Sequence, residues 1–486
     1  MGVKLSQLVA RDLAQDCEIT GVTADSRKVK PGFLFAALPG AKVNGRDFAG
    51  KAVSAGAAAI LAAEDMPGLG VPVIVTPDPR RAYALAAAAF WGAQPPVVVA
   101  VTGTNGKTSV AAFCRQIFNA LGRRAASMGT LGVLATGPDG WREQMTPPGL
   151  TTPDAVDVAE LSAKLAAAGV THLAMEASSH GIDQRRLDGL TLRVAGFLNL
   201  TQDHLDYHGT MGAYRAAKLR LFETLTPTGA TAVLNADSDA YEAFAGAAVT
   251  AGQTVMSVGE AGQGLTLLAR TPTPGGQDLK IAAGGQTYDV HLPLVGAYQA
   301  SNALVAAGLC IAAGEEAGAV LKALETLEGA PGRLQRVGTS AKGGEAYVDY
   351  AHTPDGLETV LKALRPHVTG KLIVVFGCGG DRDRTKRPIM GRIAADLADV
   401  AIVTDDNPRT ELPAAIRAEV MTGARGAKEI GDRRTAIRAG VAMLEAGDVL
   451  VVAGKGHEQY QIIGEVTHHF DDVAETVEAL AEAGRG

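Results

Sequence analysis

The chain has 486 residues, of which 47% are hydrophobic and 20% charged, with a formal net charge of -7. These values are typical of a globular protein of two to four domains, and the acidic balance argues against a nucleic-acid-binding surface. No apolar run has the length of a membrane helix, the first residues lack a signal-peptide core, and the four cysteines are too widely spaced for a metal or redox pair, so we expect a cytoplasmic protein with reduced cysteines.

The first segment, residues 1–95, contains the short strand-like runs FLFAAL, AAILAA and VPVIV, and it ends at Pro95 and Pro96. Consecutive prolines interrupt regular structure, so a domain boundary is predicted there. We interpret this segment as a small N-terminal α/β domain.

The next run, VVVAV, is continuously apolar, as expected of a strand buried on both faces, and a Gly-rich loop and the helical pattern SVAAFCRQIFNALG follow it. The runs THLAMEAS, VAGFLNL and TAVLNA then alternate with Ala-rich helical stretches, which predicts a parallel sheet. After the loop-rich break GAPGRL, the pattern restarts with EAYVDYAH, KLIVVFG, VAIVTDD and DVLVVAG, which indicates a Rossmann-like domain.

The Gly-rich loop TGTNGKTS carries the residue types of a phosphate-binding loop. Its backbone N–H groups would hold an anion, Lys107 would reach the β and γ phosphates, and Thr108 would hold Mg²⁺. The loop departs from the full Walker pattern, because Val101 stands where that pattern has glycine. The alternative is a Gly-rich turn with a solvated lysine. The predicted ATP-binding residues of the loop are Gly103, Thr104, Asn105, Gly106, Lys107, Thr108 and Ser109.

Two further segments that follow strand-like runs, MEASSHGIDQRR and NLTQDHLDYHGTMGAYRAAKLRLF, are rich in polar and ionisable side chains. Open α/β sheets place ligand-binding groups at such strand ends. Glu176 is a suitable Mg²⁺ ligand, whereas His204 or His208 taken alone is more typical of a hydrogen-bonded loop histidine. The other candidates are Ser178, His180, Gln184, Arg186, Asp206 and Lys218.

Together with GAYQASN, PGRLQ, DYAHTPD, GCGGDRDRTKRP, DDNPR and GKGHE, these segments resemble the Mur ligase family, the ATP-dependent amide-bond ligases that build the peptide stem of bacterial peptidoglycan. The resemblance covers nearly the whole chain and is strongest to the members that add the third residue. It implies three α/β domains: a UDP-binding domain (1–95), a central P-loop ATPase domain with a parallel sheet (96–330) and a C-terminal Rossmann-like domain that binds the amino acid (331–486).

The resemblance also implies a reaction in which ATP phosphorylates the glutamate carboxylate of UDP-N-acetylmuramoyl-L-alanyl-D-glutamate and an amino-acid amine attacks the acyl phosphate. Two Mg²⁺ ions and Lys107 would neutralise the crowded negative charge. Thr108, Glu176 and His204 would hold metal. Lys218 matches a lysine that CO₂ carbamylates in this family, which turns a cation into a metal-binding anion; without the flanking motif it would be interpreted as a surface helix lysine.

The remaining assignments by resemblance concern the two larger substrates. The additional ATP-binding residues would be Asn302, Arg333, Asp349 and His352. The residues that hold the UDP-muramoyl dipeptide would be Ser26, Thr151, Thr152, Ser178, Gln184 and Arg186.

The segment IVTDDNPRTE predicts the identity of the incoming amino acid, because its arginine is surplus to what a turn requires. Diaminopimelate is a lysine whose far end carries an additional carboxylate, and a guanidinium reads a carboxylate with two parallel hydrogen bonds. In the matching family motif DNPR, Arg409 would bind that carboxylate and Asn407 would bond both the carboxylate and the ammonium. By resemblance Glu458 also belongs to this pocket and would take the ammonium. By resemblance the other residues of this pocket are Arg382, Asp406, Pro408 and Gly454.

Several alternatives remain open at this stage. The chain could be a lysine-adding, dipeptide-adding or folylpolyglutamate-forming relative, or a P-loop nucleotide switch without ligase activity; Arg409 could also simply cap a turn through Asp405 or Asp406. We expect a monomer that acts on small-molecule substrates, meso-diaminopimelate among them, without nucleic-acid or membrane partners.

Overall fold

The computed structural model describes residues 2–13, 15–40, 43–147 and 149–484. Contacts divide the chain into two compact units, which are described separately: unit 1 comprises 1–265 and 305–320, and unit 2 comprises 266–304 and 321–486. Within the described ranges, no helix has the length and apolar character needed to cross a membrane.

The N-terminal part of unit 1 is a four-stranded parallel sheet with the strand order β3-β4-β5-β6. The elements are β1 (Val3–Lys4), α1 (Leu5–Leu8), β2 (Glu18–Ile19), β3 (Gly21–Thr23), β4 (Phe33–Ala36), a 3₁₀ turn (Gly45–Phe48), α2 (Ala49–Ser54), β5 (Ala59–Ala62), β6 (Val73–Val75) and α3 (Pro79–Trp91). Each of the three predicted runs forms a strand, which confirms an α/β arrangement in this segment.

The rest of unit 1 is a larger sheet with the order β10-β9-β8-β11-β7-β12-β13-β14. Its elements are β7 (Val97–Thr102), α4 (Lys107–Ala120), β8 (Ala125–Gly129), β9 (Gly132–Thr136), β10 (Arg142–Thr146), α5 (Ala155–Ala167), β11 (His172–Glu176), α6 (Ser179–Asp183), β12 (Val194–Phe197), α7 (Leu205–His208), α8 (Met211–Arg220), a π-helical turn (Leu221–Leu225), β13 (Thr231–Asn235), α9 (Tyr241–Thr250) and β14 (Thr254–Gly259).

In this sheet the central strand β7 lies between β11 and β12 and runs parallel to both, as its continuous apolar sequence predicts. β8 pairs parallel with β11, and β9 and β10 continue the sheet beyond it as an antiparallel extension that the sequence patterns did not indicate. Because parallel strands share their direction, the carboxyl ends of β7, β11 and β12 meet at one edge, and the phosphate loop and both polar segments begin there.

Unit 2 begins with three adjacent strands, β15 (Leu265–Thr273), β16 (Gly276–Ala283) and β17 (Gln286–Leu292), of which β16 and β17 pair antiparallel. The following elements lead into its main sheet: α10 (Ala297–Ala312), α11 (Ala317–Ala323) and a 3₁₀ turn (Leu324–Thr326). The division between the units falls within α10 and between 320 and 321.

The main sheet of unit 2 has the order β18-β19-β23-β20-β21-β22, with only β18 antiparallel to its neighbour. Its elements are β18 (Gln335–Thr339), β19 (Glu345–Asp349), α12 (Pro354–Leu364), a 3₁₀ turn (Arg365–His367), β20 (Leu372–Phe376), α13 (Lys386–Leu397), β21 (Val400–Val403), α14 (Pro413–Met421), β22 (Lys428–Glu429), α15 (Arg433–Ala442), β23 (Val449–Ala453), β24 (Tyr460–Ile463), β25 (Val466–His469) and α16 (Asp472–Ala483). Helices on both faces bury the central strands completely, which confirms the Rossmann-like prediction.

Candidate active site

The predicted phosphate loop connects β7 to α4, as the sequence indicated. The Lys107 ammonium donates to the carbonyl oxygens of Gly103 (2.9 Å) and Thr104 (2.8 Å), so it lies against its own loop instead of being solvated. Asn199, which follows β12, makes two hydrogen bonds to the loop. Its Oδ1 accepts from the Asn105 N–H (2.9 Å), and its backbone oxygen accepts from the Thr104 N–H (2.9 Å). The alternative of a Gly-rich turn whose lysine is only solvated does not match these contacts, and phosphate binding by the loop stays a prediction.

Glu176 ends β11 with its carboxylate directed at the first turn of α4. The Thr108 hydroxyl donates to Glu176 Oε2 (3.0 Å), and the Thr130 N–H donates to Oε1 (2.8 Å). A Cβ at Gly129 would lie 2.0 Å from Oε1, so only glycine lets the end of β8 approach this carboxylate. The hydroxyl and carboxylate oxygens together form the hard-oxygen donor set that Mg²⁺ prefers.

Lys218 lies on α8, and only 1% of the residue is exposed. Its Nζ donates to the Gly103 carbonyl (2.7 Å) and lies 4.5 Å from the centroid of the Tyr214 ring. Among the described residues it has no carboxylate partner within ion-pair distance. Burial, and then the charge of Lys107, lower the pKa of the Lys218 amine well below its ordinary value. A surface lysine in a helical ion pair, the alternative interpretation, is wrong.

The residues predicted to hold the muramoyl dipeptide form a hydrogen-bonded network beside Glu176. The Thr152 hydroxyl donates to the Glu176 carbonyl (2.9 Å) and accepts from the Ser178 N–H (3.0 Å). Arg186 donates to the Thr152 carbonyl (2.7 Å) and to Gln184 Oε1 (2.8 Å). Thr151 joins through the Thr130 hydroxyl (3.1 Å).

Ser26 is not bonded into this network within the described residues. It lies in the turn after β3, whose residues Ala24 and Asp25 line a cavity of about 810 Å³ together with Asp154 at the start of α5. Thus the turn that carries Ser26 and the segment that follows Thr152 face the same cavity. The role of Ser26 stays a prediction.

Three histidines lie close together at the edge of this site. The ring of His180 lies 4.8 Å from that of His204 and 5.4 Å from that of His208, centroid to centroid. His208 shares a hydrogen bond with the Ser179 hydroxyl (3.0 Å), which favours the structural interpretation for it. His204 has a left-handed backbone (φ 53°) and an exposed side chain, while Asp206 is exposed in the first turn of α7. No group of three or more His, Cys, Asp or Glu side chains in the described residues is arranged to hold a metal.

In unit 2, three of the four additional ATP-binding candidates lie at or beside Tyr350, and the fourth, Asn302, connects to Arg333 through Gln299. Asn302 donates to Gln299 Oε1 (3.1 Å), and Gln299 donates to the Arg333 carbonyl (3.3 Å). The Arg333 guanidinium lies 4.7 Å from the centroid of the Tyr350 ring, and His352 lies against the same ring at 4.6 Å. Asp349 holds the turn after Arg333, because its Oδ2 accepts from the Leu334 N–H (2.7 Å).

Asp349 provides a pH-dependent test of this arrangement. Burial outweighs the charge of Arg333 and two backbone donors and raises the pKa of Asp349 to about 6. The native state therefore holds this proton at pH values where the unfolded state has lost it. This contribution to the free energy of unfolding is fully present below pH ~4 and is lost as the pH rises through about 6, a loss of roughly 3 kcal/mol at most.

We expect Asp349→Asn to remove this slope between pH 4 and 6. The amide also replaces one of two acceptors, so below pH ~4 the variant should be less stable than the wild type by about 1–3 kcal/mol. This difference should shrink as the pH rises through about 6, because only the wild type then loses stability. Urea denaturation across this range measures both effects, with the exposed Asp355→Asn as the control. An unchanged slope in Asp349→Asn would show that the Asp349 carboxylate is not the titrating group.

The DDNPR segment follows β21, and its two acids have structural partners. Asp405 pairs with Arg417, and Asp406 pairs with Lys455 at 3.2 Å. Arg409 bonds neither acid: its Nη1 donates to the carbonyl of Gly380 (2.8 Å). The interpretation of Arg409 as a turn cap through Asp405 or Asp406 is thus wrong.

The backbone of Arg409 has an unusual, left-handed conformation (φ 50°). Two hydrogen bonds hold it there: Arg409 N–H to the Ile462 carbonyl (3.0 Å), and Gly464 N–H to the Arg409 carbonyl (2.7 Å). Strained non-glycine residues of this kind concentrate at functional sites. Within the described part of the chain, the guanidinium has no carboxylate partner within ion-pair distance, so it offers a positive charge to an anion.

The geometry of Asn407 corrects one prediction. Its Oδ1 already accepts from Lys455 Nζ (2.9 Å) and from the Ile462 N–H (3.0 Å), and its Nδ2 donates to Glu458 Oε2 (3.2 Å). The amide oxygen is therefore not available to a ligand ammonium, and Asn407 can offer only N–H donors.

Glu458 is the remaining acceptor for an ammonium group. Burial, and then the nearby Asp406, raise the pKa of the Glu458 carboxyl. A bound cation would reverse that effect by stabilising the carboxylate. The Tyr350 hydroxyl lies 3.5 Å from Glu458 Oε1, so Tyr350 contacts both the Arg333 cluster and this carboxylate.

The other predicted members of this pocket differ in position. Arg382 is exposed and donates to the Asp381 carbonyl (3.0 Å). Pro408 and Gly454 are buried, and Gly454 has a positive φ of 124°. Asp406 is largely buried and pairs with Lys455, so we interpret it as a residue that holds the pocket in place beneath its surface.

Five residues of these sites were missed: Thr130, Asn199, Tyr214, Tyr350 and Lys455. A signal existed for four of them. Asn199 and Tyr214 lie in the polar segment NLTQDHLDYHGTMGAYRAAKLRLF, where Tyr214 precedes Lys218 by one helical turn, and Tyr350 and Lys455 lie within the motifs DYAHTPD and GKGHE. Thr130 has no comparable signal, because only a tertiary contact brings it to Glu176.

Comparisons with known proteins agree with this layout. Three family models match consecutive parts of the chain: "Mur ligase family, catalytic domain" (18–91), "Mur ligase middle domain" (101–310) and "Mur ligase, glutamate ligase domain" (332–456). Two relatives are named UDP-N-acetylmuramoyl-L-alanyl-D-glutamate–2,6-diaminopimelate ligase. That of Caulobacter vibrioides is 71% identical over 481 residues (99% of both chains), and that of Mesorhizobium japonicum is 54% identical over 469 residues (96% of both).

A solved structure of a ligase with the same name has a TM-score of 0.76 and 35% identity, and the match covers 99% of both chains. The α/β fold with parallel sheets and the three matched domains confirm the predicted fold class. The chain belongs to the Mur ligase family.

Proposed function

We propose that this protein adds meso-diaminopimelate to UDP-N-acetylmuramoyl-L-alanyl-D-glutamate in an ATP-dependent, ADP-forming step of peptidoglycan synthesis. The observation that carries the choice of amino acid is the guanidinium of Arg409, which has no carboxylate within ion-pair distance among the described residues and lies in the same loop as Asn407, whose amide contacts Glu458. This set matches the far end of diaminopimelate: a carboxylate for Arg409 and the Asn407 N–H groups, and an ammonium for Glu458.

The reaction requires activation of a carboxylate, which is a poor acyl donor. Transfer of the γ-phosphoryl group of ATP to the glutamate carboxylate gives an acyl phosphate and ADP. The incoming amine attacks the acyl carbon, the tetrahedral intermediate releases phosphate, and the nitrogen loses a proton to leave an amide. Lys107 and the loop N–H groups stabilise the charge that develops on the transferred phosphoryl group.

The donor set at the strand ends fits Mg²⁺. Thr108 and Glu176 would hold one ion, and His204 together with a carbamate on Lys218 would complete the second site predicted from the family. When bound, Mg²⁺ would neutralise charge on the phosphate oxygens. The buried Lys218 amine supports the carbamate, because an amine without a counter-ion is disfavoured as a cation and its neutral form reacts with CO₂.

The assignments of Asn302, Arg333, Asp349 and His352 to ATP remain part of this proposal, as do those of Ser26, Thr151, Thr152, Ser178, Gln184 and Arg186 to the muramoyl dipeptide. We also propose domain boundaries near 95 and 330 and a cytoplasmic monomer.

Phosphate release measured with ATP, Mg²⁺ and the muramoyl dipeptide tests the proposal, with meso-diaminopimelate compared against L-lysine. We expect release only with diaminopimelate. Phosphate release with L-lysine would still indicate a ligase but would refute the interpretation of Arg409. ATP hydrolysis at the same rate with and without either amino acid would favour a nucleotide switch.

Gly380 provides a structural test of the diaminopimelate pocket. A Cβ at this position would lie 1.9 Å from the carbonyl oxygen of Pro408, so Gly380→Ala must displace the loop that carries Arg409. Overpacking of this kind costs about 1–3 kcal/mol. We expect a KM for diaminopimelate at least ~10-fold higher, since 1.4 kcal/mol of lost binding corresponds to one factor of ten.

The matched control is Gly246→Ala in α9, where nothing lies within 4 Å of an added Cβ. That change should preserve activity and add about 0.5–1 kcal/mol of stability, because alanine favours a helix over glycine. An unchanged KM for diaminopimelate in Gly380→Ala would show that the contact between Gly380 and the loop of Pro408 and Arg409 does not affect diaminopimelate binding.

A further inference from the structure

We propose that Lys455 is a positioning residue that fixes the Asn407 amide with its N–H groups toward the ligand, and thereby makes the pocket selective for a far-end carboxylate. The inference rests on the proposed function and extends it to a residue outside the predicted binding set. Lys455 is fully buried, with 0% of its side chain exposed, so it acts through its neighbours and not by touching substrate.

Three acceptors surround the Lys455 ammonium. Nζ donates to Asn407 Oδ1 (2.9 Å) and to the Tyr460 carbonyl (2.8 Å), and it lies 3.2 Å from Asp406 Oδ1. An ammonium has three donors and no acceptor, so the Asn407 atom that faces it must be the amide oxygen. The Ile462 N–H, a second donor to the same atom at 3.0 Å, requires the same orientation.

This orientation decides what Asn407 can recognise. With the oxygen turned inward, the nitrogen donates to Glu458 Oε2 (3.2 Å) and has a second N–H for a ligand. Such a donor binds a carboxylate well, because hydrogen bonds to an ionised acceptor are roughly twice as strong as neutral ones. A ligand with a neutral carboxamide at its far end would receive the weaker type of bond.

Loss of the Lys455 ammonium removes the charged donor that holds the amide. In Lys455→Met, the Ile462 N–H and the Asn407 Nδ2 bond to Glu458 still oppose rotation of the amide, but without the charged donor the oxygen turns toward the ligand more readily. A carboxamide ligand can donate to that oxygen, whereas a carboxylate is repelled by it. The ratio of kcat/KM for meso-diaminopimelate to that for its far-end monocarboxamide should therefore fall.

The experiment compares this ratio in the wild type and three variants. Lys455→Met leaves Asp406 buried without its partner, and the variant could fail to fold for that reason alone. The double variant Asp406→Asn/Lys455→Met removes both charges and keeps the net charge of the site. Lys455→Gln retains a neutral donor toward Asn407. Thermal melting establishes which variants are folded.

We expect the ratio to fall at least ~10-fold in Lys455→Met and in the double variant, the size of effect that follows from losing one charge-assisted hydrogen bond. Lys455→Gln should retain most of the selectivity, and KM for ATP should stay unchanged in all three. A ratio within twofold of the wild type in the folded double variant would overturn the inference, as would an equal loss in Lys455→Gln. A wild type that does not use meso-diaminopimelate would refute the proposed function itself.

Discussion

Lys218→Ala is expected to lose activity by about 10²- to 10³-fold, the effect of removing one preorganised electrostatic group from a transition state. The group lost would be the proposed carbamate, which supplies a negative charge where the structure has a buried amine. Stability should fall much less than activity, because Lys218 loses a single hydrogen bond, to the Gly103 carbonyl, and has no carboxylate partner within ion-pair distance among the described residues. The measurements are the rate of phosphate release with all three substrates and the thermal midpoint.

Dependence on CO₂ separates the carbamate from other roles of this lysine. Wild-type activity should fall in CO₂-depleted buffer and return on addition of bicarbonate, whereas Lys218→Ala should respond to neither. With ¹³C-labelled bicarbonate, the wild type should show a carbamate signal that Lys218→Ala lacks. The exposed Lys164→Ala in α5 is the control and should behave as the wild type. Full activity in Lys218→Ala would exclude the carbamate.

The strand ends that carry chemistry could be predicted from sequence because their physical signals are local. The continuous apolar run VVVAV predicted β7 as a buried strand, and the strand-like runs THLAMEAS and KLIVVFG predicted β11 and β20. Polar groups directly after such strands predicted where ligand-binding residues would lie. Glu176 and Lys107 therefore occur where the sequence analysis expected them.

Other features depend on residues far apart in the chain. The orientation of Asn407 is fixed by Lys455, 48 residues later, and the antiparallel pairing of β9 with β8 and β10 depends on neighbouring strands instead of on a strong pattern of its own. The sequence indicated that Arg409 was chemically unusual. It could not indicate the left-handed backbone or the contact with Gly380, because both arise from loop packing.

Replacement of Arg409 should change which amino acid the protein accepts. Arg409→Met keeps the apolar stem and removes the charge, so the carboxylate at the far end of diaminopimelate loses its bidentate partner. Truncating one member of a hydrogen-bonded charge pair costs about 2–5 kcal/mol, which corresponds to a decrease of roughly 30-fold to several thousand-fold in kcat/KM. L-lysine has no such carboxylate, so its low kcat/KM should change little.

The ratio of the two kcat/KM values is thus the decisive measurement. In the wild type it should be large, because lysine would leave the guanidinium without an anion, and a site built around a polar partner rejects an analogue that lacks it by ~10⁴-fold or more. In Arg409→Met the ratio should decrease mainly through the loss for diaminopimelate. Arg392→Met, an exposed arginine of α13, controls for the change of side chain and net charge. If Arg409→Met lowered both values equally, Arg409 would be needed for the shared chemistry or the fold, and selectivity would have to come from Asn407 and Glu458.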